Sequence, residues 1–411
     1  MTGRTLAIVA VLAALLGGAL PAGPALAQSA APNLPSVTAV RVGGDGQKTR
    51  FIMDLSRKLD FAAFALANPY RIVLDLPQVA FHLPDKTGEQ GRGLVKAFRY
   101  GLIMQGGSRV VLDTSGPVKI EKAFTLEATA DQPARLVVDL ATTDRTSFMQ
   151  ALTLDNGPER RVTAKMPDVP KAPDDARPLI VLDPGHGGID QGARAQSGEL
   201  EKDIVLQFAS TLRARLEQSG KYRVAMTRTD DTFIPLSERV RFGRSHNAAL
   251  FISIHCDSLP RSEGQAEGAT VYTLSENASD AEAARLAEAE NKADAIAGVD
   301  LTAEPDDVAN ILVDLAQRET KTYSSQFARS VVGELKSTAR LHKHPLKSAG
   351  FKVLTAPDVP SVLIELGYLS TKQDLKLLTN GNWQAKTATA VAQAVDQFFA
   401  PRLARGSARA N

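Results

Sequence analysis

The spacing of hydrophobic residues divides the chain into two textures. From about residue 36 to 145, apolar residues come in short β-rich runs, such as "TRFIMDLSRKLDF" and "YRIVLDLPQ", separated by turn signals such as Asn68-Pro69. From Arg177 the runs alternate in period. "LIVLD", "YRVAMTR" and "ALFISIH" predict strands, whereas "EKDIVLQFASTLRARLEQSG" places Val205, Phe208, Leu212 and Leu216 on one helical face and stops at Gly220. "LSERVRFGRSHNA" predicts a second helix, "GATVYTLS" and "SVLIELGYL" further strands, and 382–399 a terminal helix. Alternating strands and helices of this kind indicate an α/β domain.

The β-rich region repeats itself. "TRFIMDL" (49–55) is answered by "SRVVLDT" (108–114), and "YRIVLDLP" (70–77) by "ARLVVDLA" (134–141). Each unit carries Arg, three apolar residues and Asp, and the copies start at similar offsets, which indicates an internal duplication. Between the two textures, the second half of "SFMQALTLDNGPERRVTAKMPDVPKAPDDARP" is rich in Pro, Lys and Asp without periodicity, a linker composition. The expected architecture is a small all-β domain over 36–145, a linker over 146–177, and an α/β domain over 178–400 whose central mixed sheet is flanked by helices.

The N-terminal stretch is apolar from Leu6 to about Leu20, follows Arg4, and leads to Ala25-Leu26-Ala27. That is the layout of an export signal over 1–27, cleaved near Ala27-Gln28. The run is short for a bilayer span and is interrupted by Gly17, Gly18 and Pro21, so a soluble periplasmic protein with no later span is expected. A formal net charge of +2 gives no reason to expect a nucleic-acid partner. The single cysteine, Cys256, excludes an intramolecular disulfide. No long heptad pattern occurs, and a monomer is expected.

Candidate chemistry gathers at element boundaries. His186 sits among glycines in "VLDPGHGGIDQGA", His255 closes "FISIH", Glu201 opens the first helix of the α/β domain, and Glu365 closes "SVLIE". Ligands of open α/β sheets collect at the carboxyl ends of strands. Two histidines and one glutamate with an open position form a common catalytic zinc set, and imidazoles disfavour calcium or magnesium. The remaining glutamate would serve as a general base. Asp183 and Asp190 flank His186, and either could orient it.

These motifs, with "GELEKDIVL" and "TRTDDTFIPLSERV", resemble the zinc-dependent N-acetylmuramoyl-L-alanine amidases of bacterial cell-wall turnover. The resemblance implies zinc on His186, Glu201 and His255, with Glu365 as the catalytic glutamate. It also implies cleavage of the amide between the lactyl group of N-acetylmuramic acid and the first L-alanine of the peptidoglycan stem. The duplicated β region resembles the AMIN domain, implicated in binding peptidoglycan and localising to the division site. A zinc peptidase acting on the stem peptide and a non-catalytic cell-wall binding protein are the alternatives.

An insertion at about 276–318 carries a predicted helix over 280–297, with Ser279 or Asp280 as N-cap and Gly298 as the stop. Ala283, Leu286, Ala293 and Ala297 form an apolar stripe, and Glu290 falls within it; Glu288 lies on a more solvated face. A carboxylate on a face meant for burial needs a partner. In amidases of this resemblance that separate daughter cells, a helix inserted here occludes the site with a glutamate on the metal, until an activator with a degenerate LytM-type domain displaces it. Glu290 is the expected inhibitory ligand, with Glu288 as second choice. His246 is expected to be structural or solvated, His342 and His344 to lie in a surface loop beside Pro345 with no carboxylate partner, His82 to have no partner set, and Cys256 to be buried and inert.

Overall fold

The structure is a computed structural model that describes residues 34–104, 106–154, 175–258, 266–299 and 311–407. The expected export signal and most of the expected linker lie outside these residues.

Nine strands build the first domain: β1 (Ser36–Gly44), β2 (Lys48–Leu55), β3 (Ala62–Leu66), β4 (Arg71–Pro77), β5 (Ala80–Phe81), β6 (Val95–Met104), β7 (Gly107–Thr114), β8 (Val118–Leu126) and β9 (Ala134–Thr142). They form two sheets, ordered β5-β1-β2-β9-β8 and β3-β4-β7-β6. The duplication explains the pairing, because each sheet takes its central strands from different copies. β2 lies antiparallel to β9 with Arg50 opposite Asp139 and Asp54 opposite Arg135. β4 lies antiparallel to β7 with Arg71 opposite Asp113 and Asp75 opposite Arg109. An Arg–apolar–apolar–apolar–Asp unit run antiparallel against another such unit from the other copy brings unlike charges together at both ends of the pair. The residues of opposite parity, among them Phe51, Met53, Ile72, Leu74, Val110, Leu112, Leu136 and Val138, fill the core between the sheets.

The expected linker begins as structure rather than coil. Helix α1 (Arg145–Leu154) occupies its first residues. Asp144 accepts from the backbone N–H of Ser147 at 2.9 Å, and Phe148 stacks edge-on against Tyr70 at 5.1 Å. The apolar Phe148 thus finds a partner that composition alone did not reveal.

In the second domain, β10 (Leu179–Pro184), β11 (Arg223–Met226), β12 (Leu250–His255), β13 (Ala269–Leu274), β14 (Leu341–Ala349) and β15 (Ser361–Glu365) form one sheet. Its order is β11-β10-β12-β15-β13-β14, with β13 antiparallel to β15 and the other neighbours parallel, so the sheet is mixed. Helices α2 (Glu201–Gln218), α6 (Ile311–Leu335) and α8 (Gly381–Ser407) cover one face. Helices α3 (Leu236–Ser245) and α4 (Ala281–Glu290) cover the other, and α7 (Lys372–Leu378) packs beside α8. Val205, Phe208, Leu212 and Leu216 are buried as their spacing predicts. The predicted helix over 280–297 is two helices, α4 and a short α5 (Ala293–Ile296), with a break at Asn291 and Lys292. The Asn291 side chain leaves the helix to join the backbone of Gly350 and Lys352, both at 2.8 Å. Asp280 is the N-cap and accepts from the Ala283 N–H.

Candidate metal centre

Alternation along the strands aims one polar residue from each central strand into a common space. Val181 and Asp183 on β10, Phe251 and His255 on β12, and Leu363 and Glu365 on β15 share the face covered by α3 and α4. In the parallel register His255 stands opposite Glu365, and Asp183 opposite Ser253. His186 follows β10 at φ +60° in a turn whose neighbouring glycines leave room. A Cβ on Gly185 would lie 2.3 Å from the His255 ring, and one on Gly192 2.6 Å from the His186 ring and 2.7 Å from Glu201. The glycines are required because two imidazoles and a carboxylate occupy their flanks.

His186, Glu201 and His255 are all buried, and their ligand-type atoms lie within 4.8 Å of one another. Nε2 of His186 is 3.2 Å and Nδ1 of His255 3.3 Å from Oε1 of Glu201, yet neither nitrogen has a hydrogen-bond partner among the described residues. Two buried imidazole nitrogens without partners, converging on one carboxylate, are the donor set that a metal ion satisfies. Glu201 is pinned through both oxygens, by the Cys256 N–H at 2.8 Å and the Ala193 N–H at 2.8 Å. Burial would raise its pKa, but His186 and His255 outweigh that and hold it well below the ordinary carboxylate range.

The two flanking aspartates have different partners. Asp190 meets Nδ1 of His186 at 2.9 Å, leaving Nε2 aimed at the cluster. Asp183 does not touch His186; it accepts from Thr227 at 2.6 Å, Ser253 at 2.7 Å and Arg239 at 2.8 Å. Arg239 also donates to the carbonyls of Pro184 and His186, at 3.0 and 2.7 Å, and so fixes the turn from beneath. Arg228 likewise donates to the carbonyls of Pro184, Gly185 and Lys202. Neither arginine was singled out from the sequence. The signal was present for Arg239, which shares a helical face with Leu236 and Phe242, the same anomaly that marks Glu290.

Burial opposes the charged form of Asp183, but Arg239, Thr227 and Ser253 outweigh it and hold the carboxyl below its usual range. Its stabilisation is therefore present above the unfolded value near 3.9 and is lost as pH falls through the folded value. Asp183→Asn leaves Arg239 as an uncompensated buried charge and is expected to cost about 3–5 kcal/mol, read by urea unfolding at neutral pH. The variant should also lose part of the wild-type chain's decline in stability at acid pH.

Glu365 is wholly buried. Its Oε2 accepts from the Asp257 N–H at 3.0 Å, and its Oε1 has no hydrogen-bond partner among the described residues. Burial, together with Glu201, Asp257 and Glu290, pushes its pKa well up. Glu290 reaches the same space from α4, with Oε2 3.2 Å from Nδ1 of His255 and 3.7 Å from Nε2 of His186. Glu288 points away and pairs with Lys292 at 2.7 Å. Cys256 is buried on the opposite face of the sheet, where burial and then the nearby carboxylates push its thiol well up. His342 differs from expectation. Rather than lying in a surface loop it is a buried residue of β14, 3.7 Å from Glu282 on α4.

The first domain packs on this centre. Leu102 on β6 accepts from the Ile189 N–H at 2.9 Å. Arg71, Arg99 and Arg109 donate to the carbonyls of Ala295, Ile296 and Gly298, at 2.7, 3.1 and 3.0 Å, capping the C-terminal end of α5.

A mixed α/β sheet with a buried His-Glu-His cluster at its strand ends, and a buried glutamate beside it, defines a metallohydrolase type of centre. Comparison with known proteins makes the assignment specific. The family described as N-acetylmuramoyl-L-alanine amidase matches residues 180–397, and the AMIN domain matches 29–143. The chain is 33% identical over 377 residues to N-acetylmuramoyl-L-alanine amidase AmiC of Escherichia coli, covering 89% of each chain. It is also 33% identical over 380 residues to AmiC of Neisseria meningitidis, covering 89% of this chain and 90% of that one. Among solved structures, the CwlD amidase of Clostridioides difficile in complex with the GerS lipoprotein aligns with 25% identity and a TM-score of 0.40, over 55% of this chain and 99% of that one. The chain belongs to the N-acetylmuramoyl-L-alanine amidase family, with an N-terminal AMIN domain, and is a peptidoglycan amidase.

Proposed function

We propose that the chain is an exported periplasmic zinc amidase that splits septal peptidoglycan, held shut by α4 until an activator with a degenerate LytM-type domain displaces that helix. Residues 1–27 would be the export signal, 36–145 the peptidoglycan-binding AMIN part, 146–177 the connection and 178–400 the catalytic domain. The segment 276–318 would be its regulatory insertion, and the chain would act as a monomer. His186, Glu201 and His255 would hold the zinc, which when bound polarises the scissile carbonyl and lowers the pKa of water. Glu365 would take the attacking water's proton through its unpartnered Oε1 and return it to the departing L-alanine nitrogen. Asp190 would keep the His186 ring in the right tautomer through Nδ1.

One observation carries the autoinhibition. A buried carboxylate from an inserted helix faces both histidines of the cluster, with no Arg or Lys paired to it among the described residues. The test of the reaction is zinc content together with the products from purified sacculi. One zinc per chain, stem peptides released intact with L-alanine at their N-terminus, and loss of activity on chelation are expected. Released amino acids or shortened stems would favour the peptidase alternative.

The arginine cap on α5 bears on the same lock. Arg71 and Arg109 lie within the AMIN sheet and hold carbonyls of Ala295, Ala297 and Gly298. Arg71→Ala with Arg109→Ala is expected to raise hydrogen exchange over 290–299 and to increase basal dye release from labelled sacculi several-fold. Exchange over β2 and β9 should stay slow, which would show that the AMIN fold survives the change.

A further inference from the structure

α4 carries a second carboxylate, Glu282, which is half-buried where Glu290 is buried, and it meets a buried cation. Lys347 on β14 has only 2% of its side chain exposed, and its ammonium lies 2.8 Å from Oε1 of Glu282 and 3.3 Å from Oδ2 of Asp280. His342 approaches the other Glu282 oxygen at 3.7 Å, and the Tyr368 hydroxyl donates to Oε1 at 3.5 Å. The receiving groups belong to β14 and to the loop after β15, the fixed sheet scaffold. Both carboxylates belong to the helix that also carries Glu290. Displacement of α4 would therefore uncover the lysine and remove both of its anionic partners at the moment substrate enters. A cation left without its partners favours an anion from the incoming ligand in their place.

The geometry sets where that anion sits. Glu282 and Glu290 are eight residues apart on one helix, about 12 Å along its axis. An extended peptide covers about 3.3–3.6 Å per residue, so a group at Lys347 lies three to four residues from one at the metal centre. The floor between is polar. The Thr270 hydroxyl, on the residue opposite Glu365 in the β13–β15 register, and the Tyr272 hydroxyl are buried beside the Tyr368 hydroxyl.

We propose that Lys347, assisted by His342 and Tyr368, is a carboxylate-binding subsite for the peptide arm of the substrate. In the closed chain Glu282 occupies it as a mimic of that carboxylate. The inhibitory helix thus covers the scissile-bond position and a specificity position together. This rests on the proposal that α4 is a displaceable lock.

The test uses the mature chain opened by Glu290→Ala and Glu282→Ala, so that Lys347 no longer holds α4 through Glu282, with and without Lys347→Gln. The substrates are a soluble muramoyl peptide with free stem carboxylates and the same compound with those carboxylates capped as amides. Lys347→Gln is expected to raise KM about tenfold for the free acid, to leave kcat within about twofold, and to leave the amide unaffected. Lys347→Arg should recover most of the difference. An equal change on both substrates, or no change on either, overturns the subsite. Calorimetric binding of the two peptides to the chain carrying Glu290→Ala, Glu282→Ala and Glu365→Gln reads the same preference without turnover. If the opened chain releases no dye and binds neither peptide, the lock fails and the subsite with it; equal binding of both peptides overturns the subsite alone.

Discussion

Glu365→Gln is expected to lower sacculus hydrolysis by roughly 100- to 10,000-fold, the range for loss of a positioned general acid–base group. Bound zinc should remain at one per chain. The carboxyl sits opposite His255 in the strand register, with one oxygen fixed by the Asp257 N–H and the other without a partner among the described residues. It is thus oriented without being consumed by the structure. Burial and three neighbouring carboxylates push its pKa up. In the proposed reaction it would hold the proton between the water and the leaving nitrogen. Glutamine keeps the shape and the Asp257 contact but cannot accept and return a proton. A variant that kept more than a tenth of the activity would assign the proton transfer elsewhere. A variant that lost its zinc would move Glu365 into the ligand set.

Glu290→Ala is expected to do the opposite, raising basal dye release roughly 5- to 150-fold, the span of ordinary coupling free energies between two states. Two opposed effects set this magnitude. The Glu290 carboxylate is destabilised by burial and by Glu201 and Asp190, while His255 and His186 draw it toward its charged form. The apolar contacts of Ala283, Leu286 and Ala287 remain in the variant and keep part of the closed population. The gain should therefore fall short of that from deleting α4. Glu288→Ala is the matched control, because Glu288 is exposed and pairs only with Lys292 four residues on. If the two variants release dye equally, Glu290 is not the lock.

Glu290 also shows how an anomaly in a pattern can be read. A carboxylate within an apolar helical stripe was legible because helical periodicity fixes which residues share a face. The same reasoning applied to α3 would have found Arg239, whose face-mates Leu236 and Phe242 are buried. Local sequence misleads at His342, whose neighbours Lys343, His344 and Pro345 are polar or turn-forming. Its burial comes from α4, a helix some 50 positions earlier in the chain, lying across β14.

Local sequence by itself determined the two domain textures, the internal duplication and the placing of His186, Glu201, His255 and Glu365 at element ends. Strand and helix periods are properties of the chain's own geometry, and glycines around a histidine record a close approach even when the approaching group is unknown. Tertiary structure alone decided that the duplicated strands pair across copies, matching Arg50 with Asp139 and Arg109 with Asp75. It alone decided that Asp190 rather than Asp183 orients His186, and that AMIN arginines cap the helix beside Glu290. Each of those contacts joins groups whose positions are set by separate elements. Their meeting depends on how sheets and helices pack, and no local period in the chain encodes that.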